Sequence, residues 1–361
     1  MANLSIKERL YLIKSVGEEI VTEQEIIELL EKKENFIAYD GFEPSGKIHI
    51  AQGLLRAINI NKMTKAGAKF KMLVADWHAW ANNKMGGDLE KIRVVGKYFI
   101  EVWKSCDLDI NNVEFVWASE LLNNREYWKT VMQIARNTTL NRILRTTQIM
   151  GRTEKDILQA SHILYPCMQA ADIFHLKADI CQLGLDQRKV NVLAREIGER
   201  IGFYKPIIVS HHMLLGLQQI KTEQKDTVER TIELKMSKSK PDTAIFMTDK
   251  KEDIERKLNK AYCPEKQTKE NPVLEYFRYI IFEKFEKIEI TRPEKFGGTL
   301  KIKDYEELEH KYSNGEIHPL DLKKSCSFYI NELIKPTREY FEKNKEAKEL
   351  KEKVDSFEIT R

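Results

Sequence analysis

Three groups of residues in this chain have types and spacings that can do chemistry. The first is Tyr39-Asp40-Gly41-Phe42-Glu43-Pro44-Ser45-Gly46-Lys47-Ile48-His49, where the apolar run Phe36 to Tyr39 empties into a glycine- and proline-marked turn. The run reads as a buried parallel strand, and the turn opens a helix from about Ile48 with Ile50, Leu54, Leu55 and Ile58 on its inner side. His49 then falls in the first helical turn, where backbone N–H groups without partners and the positive end of the helix dipole gather. Such a corner can seat a phosphate chain, with the imidazole as an extra donor. An ordinary strand-turn-helix fits the same residues. It is no Walker A loop, because Ser45-Gly46-Lys47 lacks the preceding glycine spacing and a following Ser or Thr. The second group is Lys235-Met236-Ser237-Lys238-Ser239, in a polar, proline-bounded segment that no apolar period explains. Two mobile ammonium groups there can follow a departing pyrophosphate, although most Lys/Ser pentapeptides are solvated loops. The third lies on a helix from Ser161 to His175, where Tyr165, Gln169 and Asp172 follow at i, i+4 and i+7 and line one face with a phenol, an amide and a carboxylate. Their neighbours are apolar, so this polar line should be satisfying something.

Taken together and in this order, Pro44-x-Gly46-x-x-His49-Ile50 and Lys235-Met236-Ser237-Lys238-Ser239 resemble the paired signatures of class I aminoacyl-tRNA synthetases. Within that class, Tyr39-x-Gly41-Phe42-Glu43-Pro44-Ser45-Gly46 looks like the tyrosyl-tRNA synthetases of the archaeal and eukaryotic cytosolic type. Tyr-x-x-x-Gln-x-x-Asp, followed by Leu183-Gly184-Leu185-Asp186-Gln187-Arg188-Lys189, is similar to their amino-acid pocket. The resemblance implies that Tyr39 and Asp172 hold the phenol of L-tyrosine. Tyr165, Gln169 and Gln187 would take its ammonium group and ring edge, and the Asp76-Trp77-His78 corner adds Asp76 and His78. A helix cap is the competing role for Asp76. ATP would lie on Gly41, Phe42, Glu43, Pro44, Gly46, His49 and Ala51. Gly184 and Asp186 would sit beside it, with Met213 and Leu214 near the adenine. Lys235, Met236, Ser237, Lys238 and Ser239 would close over the phosphates, and His49, Gln52, Lys235 and Lys238 carry the catalytic roles.

The chemistry so implied is two in-line steps, tyrosine carboxylate on the α-phosphorus of ATP and then a ribose hydroxyl of tRNA-Tyr on the tyrosyl-adenylate. Mg²⁺ would accompany ATP, and no zinc is expected: His211 and His212 are adjacent, and side chains at i and i+1 diverge. A phenol both donates and accepts, so it suits a carboxylate plus a hydroxyl; an indole N–H needs only one acceptor. A site that pairs a substrate hydroxyl rejects the analogue lacking it by about 10⁴ to 10⁵, a figure known from tyrosyl-tRNA synthetases themselves. Two departures stand out. Ile50-Ala51-Gln52 replaces the common Ile-Gly-His, so the second side chain can donate but never become a cation, and the polar stretch 218–233 before the lysines is long. A tryptophanyl-tRNA synthetase and a noncatalytic RNA-binding or signalling paralogue remain as alternatives, the latter hinted at by Gln52 alone.

The elements that must position these groups follow from pattern. Lys69 to Ala75, Val113 to Trp117 and Ile207 to Val209 read as strands, and Asp88 to Cys106 as a helix. This alternation predicts an α/β fold, a Rossmann-like parallel sheet with ligands past its carboxyl edge. Residues 4–34 read as two charged helices, the second opened by the capping box Thr22-x-x-Glu25. The catalytic domain is expected over 1–248 and a C-terminal all-helical domain over 249–361, with helices at Lys250–Ala261, Pro272–Lys284 and Tyr340–Arg361. Within the first of these, 120–160 forms a helical insertion where Arg125, Arg136, Arg142, Arg145 and Arg152 are interleaved with aromatic and aliphatic residues. By resemblance it makes a homodimer contact and approaches the tRNA. Arg188 and Lys189 match positions that touch the acceptor stem. Arg292-Pro293-Glu294-Lys295-Phe296-Gly297-Gly298 and His318-Pro319-Leu320-Asp321 match the anticodon-binding motifs, with Phe296 stacking on a base that His318 and Asp321 bond. Phe296 as a core anchor is the other reading.

The 361 residues are 42% hydrophobic and carry 60 Lys and Arg against 56 Asp and Glu, a net charge of +4 that does not by itself point to a polyanion. Cys106, Cys167, Cys181, Cys263 and Cys326 show no C-x-x-C spacing and suit buried thiols in a reducing, cytoplasmic setting. No leader and no run of 18 apolar residues is seen, so no membrane partner is expected.

Overall fold

A computed structural model describes residues 4–151, 159–219, 230, 233–238 and 240–357. Its centre is a six-stranded sheet in the order β1-β6-β5-β2-β3-β4. The strands are β1 (Gly17–Val21), β2 (Phe36–Phe42), β3 (Ala68–Val74), β4 (Val113–Trp117), β5 (Ile180–Cys181) and β6 (Ile207–His211). All neighbours are parallel except β1, which pairs antiparallel with β6. From β2 the chain winds outward to β3 and β4 on one side, then returns to β5 and β6 on the other, so the order reverses between β2 and β5. In an open α/β sheet this is where a crevice opens beyond the strand ends.

The helices that matter to that crevice are α1 (Ile6–Val16), α2 (Glu23–Lys32), α3 (Leu54–Lys65), α4 (Asp76–Ala81), α5 (Leu89–Lys104), α6 (Arg125–Arg136), α7 (Leu140–Thr146), α8 (Ala160–His175) and α9 (Arg188–Ile197). Thr22 and Glu25 close the capping box of α2 reciprocally, at 3.3 and 3.1 Å. Asp88 caps α5 through Glu90 and Lys91 N–H, both at 3.1 Å. Arg152 lies outside the described residues.

Three expectations are corrected. Residues 4–34 are not two helices in succession; β1 stands between them, because Gly17 to Val21 finds an edge place beside β6. The strand after residue 36 continues through Gly41 to Phe42 in unbroken register with β3. The helix expected from Ile48 starts only at Leu54. Ile48 to Ile50 are instead drawn into extended pairing with 245–247, with Ile50 N–H on Ile245 O at 2.9 Å and Met247 N–H on Ile48 O at 3.0 Å. Ile48, Ile50, Ile245 and Met247 are all fully buried by this arrangement, which outweighs a few more helical bonds.

The C-terminal stretch is largely helical, with α10 (Lys251–Lys260), α11 (Pro272–Tyr276), α12 (Pro319–Lys343) and α13 (Lys345–Ser356). It also holds a small antiparallel pair, Ile288–Ile290 with Leu300–Ile302, which frames the turn bearing Phe296 and which helical periodicity did not predict. The helix expected from Tyr340 is the end of α12 plus α13, divided at Asn344, whose side chain caps α13. One apolar cluster runs without a break from Ile13 under the sheet to Val354 on α13.

Candidate active site

A cavity of about 1090 Å³ opens at the reversal between β2 and β5, and it has two chemically distinct ends. Strand β2 delivers Tyr39 to one end, fully buried; among the described residues its hydroxyl has no hydrogen-bond partner. Burial raises the phenol far above its usual range, with Cys181, Asp172 and Asp40 adding to the effect, so it stays a neutral donor and acceptor. One face of α8 supplies Tyr165, Gln169 and Asp172, and all three line the cavity. Asp172 accepts from Tyr127 Oη at 2.7 Å through Oδ1, and its Oδ2 lies 3.0 Å from His78 Nε2 on α4. Burial alone would lower His78, but Asp172, Glu43 and Asp76 outweigh it and hold the imidazole above its ordinary value. Gln169 donates to Gln187 Oε1 at 3.1 Å, and Gln187 donates to Ile149 O at 3.1 Å. Tyr165 donates to Glu43 at 2.7 Å rather than joining the two glutamines, and Asn82 bonds the same carboxylate at 2.9 Å.

The other end is ringed by cations. His49 sits in the turn ahead of α3, where its carbonyl accepts from Gln52 and Gly53 N–H, both at 2.9 Å. Gly53 is required there, because a Cβ would come within 2.4 Å of Met247 Sδ. Burial, and then Lys238, Arg56 and Lys235, push the His49 imidazole well below its usual value, so it serves as a neutral hydrogen-bonding group. Lys235 pairs with Asp186 at 2.6 Å, and Lys238 donates to Ser45 O at 3.1 Å. The lysine segment rests on the stretch after β6, with Met236 N–H on Leu214 O at 2.8 Å. His49 and both lysines thus face one space, together with Gln52, Ala51 and Met213.

A fold with two such ends invites comparison with known proteins. The family described as "tRNA synthetases class I (W and Y)" matches residues 31–335. The chain is 51% identical over 359 residues to the Arabidopsis thaliana protein named Tyrosine--tRNA ligase 1, cytoplasmic, covering 99% of this chain and 90% of that one. It superposes with a TM-score of 0.90 on tyrosyl-tRNA synthetase complexed with L-tyrosine from Pyrococcus horikoshii, at 39% identity, covering 97% and 100% of the two chains. A TM-score of 0.89 and 45% identity relate it to Leishmania major tyrosyl-tRNA synthetase in complex with tyrosinol, where it covers 99% of this chain and 61% of the longer one. The chain belongs to the class I tyrosyl-tRNA synthetases.

Several residues expected at the site of this synthetase have other duties. Asp76 is buried but does not line the cavity. It accepts from Trp77 and Ser119 N–H at 3.0 Å each and lies 3.6 Å from Arg93, so it ties together the segments that follow β3 and β4. Pro44, Gly46 and Gly184 shape the walls without facing the space. Gly184 is close-packed, since a Cβ would meet Met213 Sδ at 2.5 Å and Asp186 Oδ1 at 2.6 Å. Gly41, Phe42, Glu43, Asp186, Leu214 and Ser237 do face it. Ser239 lies outside the described residues. The two adjacent histidines diverge, His211 to Gln182 at 2.6 Å and His212 to Glu18 and Glu275 at 3.2 and 3.1 Å.

Away from the cavity, Arg188 pairs with Glu19 at 2.7 Å and Lys189 with Gln148; both border a second hollow of about 390 Å³ beside Arg142 and Arg145. Phe296 is 61% exposed on its turn, so it is no core anchor. His318 caps α12 by accepting from Leu320 N–H at 3.2 Å, with Asp321 nearly buried in the first turn. The sequence reading missed four groups that face the main cavity or hold its residues. Tyr127, Asn82 and Lys84 lie beside Asp172 and Glu43, and Arg56 forms an ion pair with Asp40. Burial lifts Asp40 to about 6 despite that guanidinium.

Proposed function

We propose that this chain activates L-tyrosine with ATP and transfers the tyrosyl group to the 3′ end of tRNA-Tyr, in the cytoplasm. One observation carries the reading: a buried Tyr39 hydroxyl stands with Asp172 at one end of a cavity whose other end holds His49, Lys235 and Lys238. Tyr39 and Asp172 would take the substrate phenol. Gln169 and Gln187, already joined, would meet the ammonium group, with Glu43 adding negative charge beside Tyr165.

Adenylation then needs positioning and charge control rather than a protein nucleophile. The tyrosine carboxylate attacks the α-phosphorus, the bond to the bridging oxygen breaks, and pyrophosphate leaves with its electron pair. His49 would donate to phosphate oxygens as a neutral imidazole, and Lys235, freed from Asp186, would move with Lys238 onto the leaving group; Asp186 is then available to the ribose. Mg²⁺ would be carried mainly by the phosphates and water. That ion would draw charge off the pyrophosphate.

For the RNA, the hollow lined by Arg142, Arg145, Arg188 and Lys189 offers phosphate partners near the acceptor end. Residues 249–361 would form the anticodon-binding domain, in which exposed Phe296 offers a stacking surface with His318 and Asp321 nearby in sequence. Trp128, Met132 and Leu140 of the 120–160 region are exposed apolar side chains suited to a homodimer contact, which sedimentation at micromolar concentration tests.

The functional test is ATP–pyrophosphate exchange with tyrosine and with tryptophan. Tyrosine-dependent exchange without a tryptophan signal is expected. Exchange driven by tryptophan would overturn the substrate, and exchange with neither would overturn the enzyme.

A further inference from the structure

Asp172 has two carboxylate oxygens, and they face different surroundings. Oδ1 accepts from Tyr127 Oη at 2.7 Å, while Oδ2 lies 3.0 Å from His78 Nε2; Asp172 and His78 both line the cavity. Tyr127 comes from α6, in the inserted region, and is wholly buried and outside the cavity lining. Its hydroxyl is also within 3.0 Å of Met168 O, and its ring packs against His175 at 5.2 Å between centroids. Burial and then Asp172 keep the phenol protonated, so it remains a donor.

A carboxylate gripped in this way cannot turn. This matters for selection, because rejecting a substrate without a hydroxyl depends on leaving a buried polar group unpaired. If Asp172 could rotate to another donor when phenylalanine entered, that cost would shrink. We propose that Tyr127 is a positioning residue for amino-acid selection: it holds Oδ1 while His78 sits on Oδ2, so that the remaining acceptor capacity of Oδ2 and the Tyr39 hydroxyl are aimed to be paired by the substrate's own hydroxyl. The proposal rests on the tyrosine reading of this site and adds a residue that acts through Asp172 without touching substrate.

The test is the ratio of kcat/KM for tyrosine to that for phenylalanine in adenylation. In Tyr127→Phe the ratio should fall roughly tenfold to a hundredfold, the span expected for losing a hydrogen bond to a charged group. The tyrosine value should drop while the phenylalanine value stays or rises. A packing role alone would lower both by one factor, and an unchanged ratio overturns the proposal. In an Asp172→Asn background the substitution should have no further effect on the ratio; additive effects would also overturn it. If the phenylalanine variant does not fold, Tyr127→Gln and Tyr127→Met give the comparison, similar in size with and without a donor. A higher ratio with glutamine supports the role, and equal ratios refute it. Failure here leaves tyrosine activation by the unaltered enzyme standing, whereas failure of that activation removes the site reading itself.

Discussion

Lys238 is the residue whose ionisation is most exposed to the chemistry. Burial and then the neighbouring Lys84 push its ammonium down to about 7, with Glu43 opposing. Before a nucleotide binds, the neutral form is therefore favoured above that pH. A bound polyphosphate favours the cation and raises the value toward its ordinary one, so between about 7 and 10.4 the protein takes up a proton as ATP binds. We expect close to one proton at pH 8, and an ATP affinity that declines up to about tenfold per pH unit across that window. Titration calorimetry in buffers of different ionisation enthalpy reads the uptake directly. Lys238→Met should abolish it, and no uptake at pH 8 in the unaltered protein would contradict this account. At this scale the sequence was informative wherever chemistry is local. Tyr165, Gln169 and Asp172 declared one face of one helix, and His49 with the lysine pentapeptide declared a paired signature. Tyr127, Asn82 and Lys84 were silent because their partners lie far along the chain, and Asp76 looked like a site residue because a carboxylate that ties backbone N–H groups and one that binds a ligand are the same in sequence.

The turn from His49 to Gly53 is the element on which the nucleotide end depends. It is not the first turn of α3 but a bend fixed from outside, by the pairing of 48–50 with 245–247 just past the lysine segment. The turn pairs with 245–247 and the lysine segment with 214–216, and both line the same cavity, so a disturbance at Gly53 should be felt in ATP use. Gly53→Ala would place a methyl group 2.4 Å from Met247 Sδ and 2.6 Å from its Cγ, in a fully buried position. The expected cost is about 1–3 kcal/mol of stability, read by urea denaturation, together with a raised KM for ATP and little change in tyrosine binding. A variant as stable as the parent would show the bend to be slack. Strands β2, β3, β4 and β6 were legible from their apolar runs. Strand β1, Gly-Glu-Glu-Ile-Val, was not, since only its place beside β6 makes that polar sequence extended.

The whole molecule is held across its length by a joint that titrates. His212, at the end of the sheet, lies between Glu18 on the first half and Glu275 on α11, stacked on Tyr279 at 4.1 Å. Burial would lower the imidazole, yet the two carboxylates raise it to about 9. A folded value above the unfolded 6.5 contributes stability that is fully present below pH 6.5 and is lost as pH rises through 9, on the order of 3 kcal/mol at most. Stability measured by urea should fall across that interval, and His212→Phe, which keeps the stack, should flatten the fall. A parent protein equally stable at pH 6 and pH 9.5 would count against the joint. The end of strand-helix alternation near residue 249 was visible in the sequence, but the continuous core from Ile13 to Val354 was not, because contact between distant helices leaves no local period. In the proposed mechanism a single cleft chooses the amino acid by its hydroxyl and activates it with ATP at the far end. Single-turnover formation of tyrosyl-adenylate tests it most directly: the unaltered protein should accumulate the adenylate and Asp172→Ala should form none, whereas adenylate at the ordinary rate in Asp172→Ala would contradict it.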